Sequence, residues 1–249
     1  MKNEMLLGNC EDLMLLFPKN SIDLIVTDVP YGINYKSNRQ GLDRKHALNT
    51  GKEVKVREQY FTEINNDQTL PTDWLKIVYS ILKENSAIYI FIHWSTWSEL
   101  ERSVKEAGFK VKNMIVINKS NHGMGDLKGD YAPKHELVLY ATKGRHKLNF
   151  PSGRKNNVMD LPVKFSGAHR LHPNEKPVSW ADVFILESSK YGDIVLDPFM
   201  GSGFVCKSAI KNNRGFIGIE NDLTHFDIAK QSLIDFCLQN KLELPFETQ

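Results

Sequence analysis

Three short stretches of this chain place acids, aromatics and glycines where chemistry could be done. Asp28 closes the run Leu24-Ile25-Val26-Thr27 and leads into Val29-Pro30-Tyr31. Asp197 closes Ile194-Val195-Leu196 and leads into Pro198-Phe199-Met200-Gly201-Ser202-Gly203. Glu220 closes Gly215-Phe216-Ile217-Gly218-Ile219. A carboxylate next to an aromatic suits a planar guest that offers hydrogen-bond donors, such as a nucleobase. An acid followed by two glycines lets the backbone turn tightly and approach a ligand closely. An acid at the end of the following strand is placed to take both hydroxyls of a ribose.

Each stretch needs a strand to aim it. Apolar, β-branched runs of this length read as strands buried on both faces. Proline cannot donate to a sheet ladder, so Pro30 and Pro198 end their strands and leave the acids at the carboxyl edge. The rest of the chain alternates in the same way. A short apolar segment at Met5–Gly8 precedes a helix over 11–17, and helices are expected over 73–83, 96–107, 178–190, 204–211 and 222–239. Further strands are expected over 87–93, 114–117 and 136–141. The last two have no helix between them and read as an antiparallel edge pair. The expectation is a single doubly wound α/β sheet, mostly parallel, with helices on both faces. Right-handed crossovers then bring Asp28, His93, Asn118, Asp197 and Glu220 to one rim.

Composition narrows the class. At 249 residues, with 41% hydrophobic and 25% charged residues, the chain is ordinary for one large soluble domain. No apolar run approaches a membrane span and no signal-peptide core is present, so the expected location is the cytoplasm. The three cysteines, Cys10, Cys206 and Cys237, are too far apart to suggest a disulfide framework or a zinc site, and no metal is expected. The net charge of +2 is unevenly spread: residues 32–59 hold seven Lys and Arg against three acids, and residues 143–176 hold eight against two. Two basic loops on an otherwise acidic protein suit a polyanion. The residues expected to grip it are Lys36, Arg39, Arg44, Lys45, Arg145, Arg154, Lys155 and Arg170.

The turn at 197–203 has no lysine for phosphates, and Asp197 would repel a pyrophosphate, so an adenosine with a cationic or zwitterionic tail fits better. At this point the pattern becomes specific. DPFMGSG at 197–203 and GIE at 218–220 resemble the S-adenosylmethionine motifs of amino-methylating DNA methyltransferases. TDVPYGI at 27–33 resembles their catalytic motif, and HPNEKP at 172–177 the segment before their cofactor strand. The motif order is that of the family's β group, and the likeness runs from about Leu6 to Ser232. It implies that Asp28, Val29, Pro30 and Tyr31 hold and stack a flipped base. It implies a cofactor site from Asn9, Cys10, Asp28, His172, Asn174, Lys176, Asp197, Pro198, Phe199, Gly201, Ser202, Gly203, Glu220 and Asn221.

The implied reaction moves a methyl group from S-adenosylmethionine to the N6 amine of adenine in double-stranded DNA. An acid at the head of the catalytic tetrad resembles the adenine enzymes; the alternatives are N4-cytosine methylation or a weakened DNA-binding homologue. The last follows from Val29, which stands where the family has proline and keeps the backbone carbonyl but not proline's fixed φ. The expected organisation is a catalytic half over 1–142 with a basic insertion at 32–68, a recognition region over 143–171 and a cofactor half over 172–240. A homodimer and a separately acting restriction endonuclease are the protein partners such a family implies.

Overall fold

A computed structural model describes residues 2–32, 69–119, 129, 131–150, 153–161 and 176–243. Its strands are β1 (Asn3–Leu7), β2 (Ile22–Asp28), β3 (Leu82–Ile92), β4 (Lys110–Asn118), β5 (His135–Lys143), β6 (Val158–Asp160), β7 (Ile194–Asp197) and β8 (Gly215–Glu220). Its helices are α1 (Cys10–Met14), α2 (Trp74–Ile81), α3 (Trp97–Glu106), α4 (Val178–Ser188), α5 (Phe204–Lys211) and α6 (Leu223–Gln239). They form one eight-stranded sheet in the order β1-β8-β7-β2-β3-β5-β4-β6. Only β5 runs against its neighbours, pairing antiparallel with both β3 and β4.

Strand periodicity divides the core. Along β3, Ile88, Ile90 and Ile92 face one helical layer, built on Trp74, Leu75 and Val78 of α2 and Leu100 and Val104 of α3. Ala87, Tyr89 and Phe91 face the other, built on Phe184 of α4, Val205 of α5 and Leu233 of α6. Side chains two apart share a face, so a strand covered on both sides must be apolar throughout. Both faces of the sheet therefore carry helices, as the alternation of elements required.

Two departures from the expected strands have physical causes, and one further pairing completes the sheet. β3 begins at Leu82, ahead of the expected Ala87, because Glu84 and Asn85 bulge out of register with β2. Asn85 takes φ 64°, a left-handed conformation that asparagine tolerates better than most residues. β6 is only three residues long, too short for an alternation to register in sequence, and adds an edge strand to β4. β1 pairs with β8 rather than with β2, so the N-terminal strand completes the side of the sheet that carries the glycine turn.

The edge opposite the strand exits is pinned by a buried ammonium. Lys143, counted above within a basic segment, donates to Asn20 Oδ1 at 3.0 Å and to the carbonyls of Tyr79 and Leu82 at 2.8 and 2.7 Å. Its role is to tie the end of β5 to the junction of α2 and β3.

Candidate functional site

In an open sheet, ligands sit where neighbouring strands lead off in opposite directions. Here that point lies between β2 and β7, which pair at Leu24–Val195 and Ile25–Leu196. Asp28 leaves one side and the Asp197 turn the other. Thr27 Oγ1 donates to Asp197 Oδ1 at 2.7 Å and ties the two exits together.

On the β2 side, Asp28 and Tyr31 are partly buried and act as a unit, the Tyr31 hydroxyl donating to Asp28 Oδ1 at 2.9 Å. Val29 is 3% exposed, its side chain in the core beneath them. Thr96 Oγ1, in the short 3-10 turn after β3, donates to the Tyr31 carbonyl at 3.1 Å and fixes the backbone leaving the tetrad. His93 closes this wall, its ring 6.2 Å from that of Tyr31. Lys176 Nζ donates to Asp28 Oδ2 and, at 2.9 Å, to the Tyr31 hydroxyl. The tyrosine is held well above the ordinary phenol range, chiefly by burial and then by the carboxylates of Asp28 and Glu136, so it stays a neutral donor.

On the β7 side, Gly201 and Gly203 take φ 49° and 74°, and Gly203 starts α5 from that left-handed position. The turn is tied to β8 twice. Met200 N donates to the Ile219 carbonyl at 2.8 Å, and Gly201 N to Glu220 Oε2 at 3.0 Å. Glu220 Oε1 accepts from the amides of Asn221 and Asp222, both at 3.0 Å, so the carboxylate is oriented before any ligand arrives. Asn9 and Cys10 reach the same place because Gly8 N donates to the Glu220 carbonyl at 2.8 Å. Asn9 Oδ1 caps α1, and the Cys10 thiol is pushed up to about 12 by burial first and then by Glu11, which leaves it protonated and inert. Phe199 packs edge-on against Trp74 at 5.3 Å, Pro198 is buried, Ser202 is partly buried in the turn and Asn221 is exposed.

Asp197 is wholly buried. Its Oδ1 accepts from Thr27 and from Phe199 N at 3.2 Å, whereas Oδ2 is buried without a partner. Burial raises this carboxyl to about 7 against the lowering effect of the two hydrogen bonds. An orphaned acceptor of this kind fits a cationic donor.

The predicted residues do not all converge. Lys176, expected among the cofactor residues, sits against Asp28 and Tyr31 on the β2 side of the sheet. Arg145 follows β5 and lies beside Asn85, at the edge of the sheet away from Asp28. Because β5 is antiparallel, its carboxyl end is carried the length of the strand from the rim, on the order of 20 Å. Lys155 is spent on Glu187, a carboxylate only 5% exposed, at 2.8 Å. Arg154 is exposed. Lys36, Arg39, Arg44, Lys45, Arg170, His172 and Asn174 lie outside the described residues.

Sequence reading missed Glu136. The start of an antiparallel strand reaches the same rim as the ends of the parallel ones, so the polar pair His135-Glu136 opening β5 was the available signal. Glu136 is held below the usual carboxylate range by Lys176 and Lys119, against burial, and accepts from Lys119 Nζ at 2.8 Å.

Comparison with known proteins follows the same outline. The sequence model of a family described as DNA methylase, of the N6/N4 methyltransferase type, matches residues 22–231. The chain is 32% identical over 217 residues to the Escherichia coli protein named "Putative methylase YubD", covering 86% of this chain and 82% of that protein. The crystal structure of the M1.HpyAVI–SAM complex superposes with a TM-score of 0.66 at 23% identity, over 92% of this chain and 98% of that one. The cytosine-N4-specific PvuII DNA methyltransferase superposes with a TM-score of 0.71 at 16% identity, over 96% and 92% of the two chains. Both structures share the fold described above.

Proposed function

The chain belongs to the N6/N4 DNA methylase family, and from that premise we propose that it transfers a methyl group from S-adenosylmethionine to the N6 amine of adenine in double-stranded DNA. The observation that carries this reading is the Asp28–Tyr31 pair at one side of the β2–β7 crevice, facing the glycine turn and Glu220 at the other.

The residues present fit the cofactor. Glu220 would take the ribose hydroxyls, Gly201 and Gly203 would pass beneath the methionine portion, and the unpartnered Oδ2 of Asp197 would receive its ammonium. When bound, the cofactor supplies an electrophilic methyl group on a sulfonium. The chain's own residues prepare the nucleophile. An exocyclic amine conjugated to an aromatic ring is a poor nucleophile because its lone pair is delocalised. The Asp28 carboxylate and the Val29 carbonyl would accept its two N–H bonds, draw the nitrogen toward tetrahedral geometry and localise that pair. Tyr31 would stack on the base and hold it in line. The work is positioning and electrostatics, with no covalent enzyme intermediate. A base within a duplex cannot reach such a crevice, so it must be flipped out.

Adenine is preferred because the tetrad begins with an acid, as in the adenine enzymes this chain resembles. The test is incorporation of labelled methyl groups into unmodified DNA of mixed sequence, followed by nucleoside digestion. N6-methyldeoxyadenosine is expected; N4-methyldeoxycytidine alone would move the assignment to cytosine, and loss of neither activity in Asp28→Ala would remove the site.

A further inference from the structure

In the free protein the acceptor is already taken. Lys176 Nζ donates to Asp28 Oδ2 and to Tyr31 Oη, and lies 5.3 and 5.2 Å from the centres of the Tyr31 and Phe91 rings. An N–H donor against this carboxylate, walled by aromatic rings, is what a stacked base with an exocyclic amine would present. The ammonium and that amine compete for one place.

A second carboxylate, Glu136, stands at the same rim, one residue before Leu137, which pairs with Ile92 beside the His93 wall. The Glu136 carboxylate adds to burial and Asp28 in raising the Tyr31 hydroxyl, and the ammoniums of Lys176 and Lys119 hold Glu136 below the usual carboxylate range against burial. Glu136 is 23% exposed, and its tie to Lys119 at 2.8 Å holds it at the rim. Resting on the reading of Asp28 as the amine acceptor, we propose that Lys176 is a positioning residue that keeps the amine's place on Asp28 in the DNA-free protein and passes to Glu136 when the flipped base arrives.

The exchange keeps each of these charged groups hydrogen-bonded throughout. The Lys176 and Asp28 side chains are only 10% and 26% exposed, so leaving either without a partner would be costly. An amine-bearing base replaces the donors that the ammonium withdraws. A base with a carbonyl at that position offers no N–H to Asp28 and cannot complete the exchange, which makes Lys176 a determinant of substrate choice.

The test is a double-mutant cycle on Lys176→Met and Glu136→Gln, read as KM for mixed-sequence DNA and kcat, with S-adenosylmethionine affinity measured by calorimetry. Glu136→Gln leaves the lysine without its second carboxylate and is expected to raise KM for DNA about tenfold; in a Lys176→Met background the same change should alter KM less than about threefold. Cofactor affinity should hold in all variants. Independent, multiplicative effects overturn the proposal, as does lost cofactor affinity in Lys176→Met, which would make the lysine a cofactor ligand. If Glu136→Gln does not fold, Lys176→Arg replaces it. A fixed cation too bulky to make the exchange should raise KM above that of Lys176→Met, and equal values overturn the idea. Asp28→Ala run alongside separates the two readings: full activity there removes the acceptor site itself, while an inactive Asp28→Ala with a multiplicative cycle removes only the lysine exchange.

Discussion

Asp197→Asn should stabilise the free protein while weakening its hold on the cofactor. The carboxyl is wholly buried and raised from 3.8 to about 7, burial outweighing the bonds from Thr27 and Phe199. An acid whose folded pKa is raised contributes stability that is complete below its unfolded pKa and is lost as pH rises through the folded one. The wild type therefore loses stability between about pH 4 and pH 7 because of this one group, by roughly 4 kcal/mol in all. Asparagine does not titrate, but it places an N–H donor where Oδ2 has no partner, costing roughly 1–3 kcal/mol. The difference leaves the variant ahead by about 1–3 kcal/mol above pH 8, or roughly 2–12 °C in Tm for a chain of this size. Near pH 4 the advantage should vanish or reverse. Thermal unfolding from pH 4 to 8.5 measures this directly. A Tm difference independent of pH, or a wild type more stable at pH 8.5, would refute the reasoning. Calorimetry with S-adenosylmethionine should show the opposite sign, a loss of about 1.5–3 kcal/mol from one missing charge-assisted bond.

Four further outcomes follow from residues already placed. Asp28→Ala should lose most methyl transfer yet keep cofactor affinity, because in the proposed reaction its carboxylate would take the substrate amine; labelled-methyl incorporation beside calorimetry reads both. Val29→Pro should keep or raise activity by restricting φ at a position whose carbonyl is retained, and a collapse in turnover with an intact fold would show that the valine side chain itself is required. Lys143→Met should cost roughly 2–4 kcal/mol in denaturant unfolding, since it strips a buried donor from two carbonyls and Asn20 at the edge far from the crevice; kcat at low temperature should not change. Affinity for duplex DNA should fall with salt at a log–log slope near −0.9 per phosphate contact, and neutralising Arg145 should leave that slope unaltered because of where β5 delivers it.

The strand exits were legible because an apolar run that ends on an acid and a proline has few ways to fold. Asp28, Asp197 and Glu220 each needed only their own strand to reach the rim. What the sequence hid was direction and pairing. A count of basic residues put Lys143, Arg145 and Lys155 in one group, but an antiparallel β5 carries Arg145 to the far edge, buries Lys143 there, and leaves Lys155 to neutralise Glu187. Glu136 escaped notice for the mirror-image reason, being brought to the rim by the start of a strand rather than its end. The bulge at Asn85 and the three-residue β6 are fixed by neighbours distant in sequence, which no local pattern reports.

The insertion of β7 and β8 between β1 and β2 bears on how the molecule is made. Strands β2 through β5 are contiguous enough to pair as they leave the ribosome, but one edge of β2 must wait for residues 194–197, and β1 must wait for residues 215–220. The Thr27–Asp197 bond closes a separation of 170 residues, which at usual rates of synthesis means roughly 10–30 s between the appearance of its two ends. For that interval the nascent chain carries an open, apolar strand edge, the kind of surface on which other chains aggregate. The first strand synthesised can be docked only by almost the last. A fragment ending before about residue 194 would carry the whole Asp28–Tyr31 stretch and still lack the neighbours that hold its sheet together.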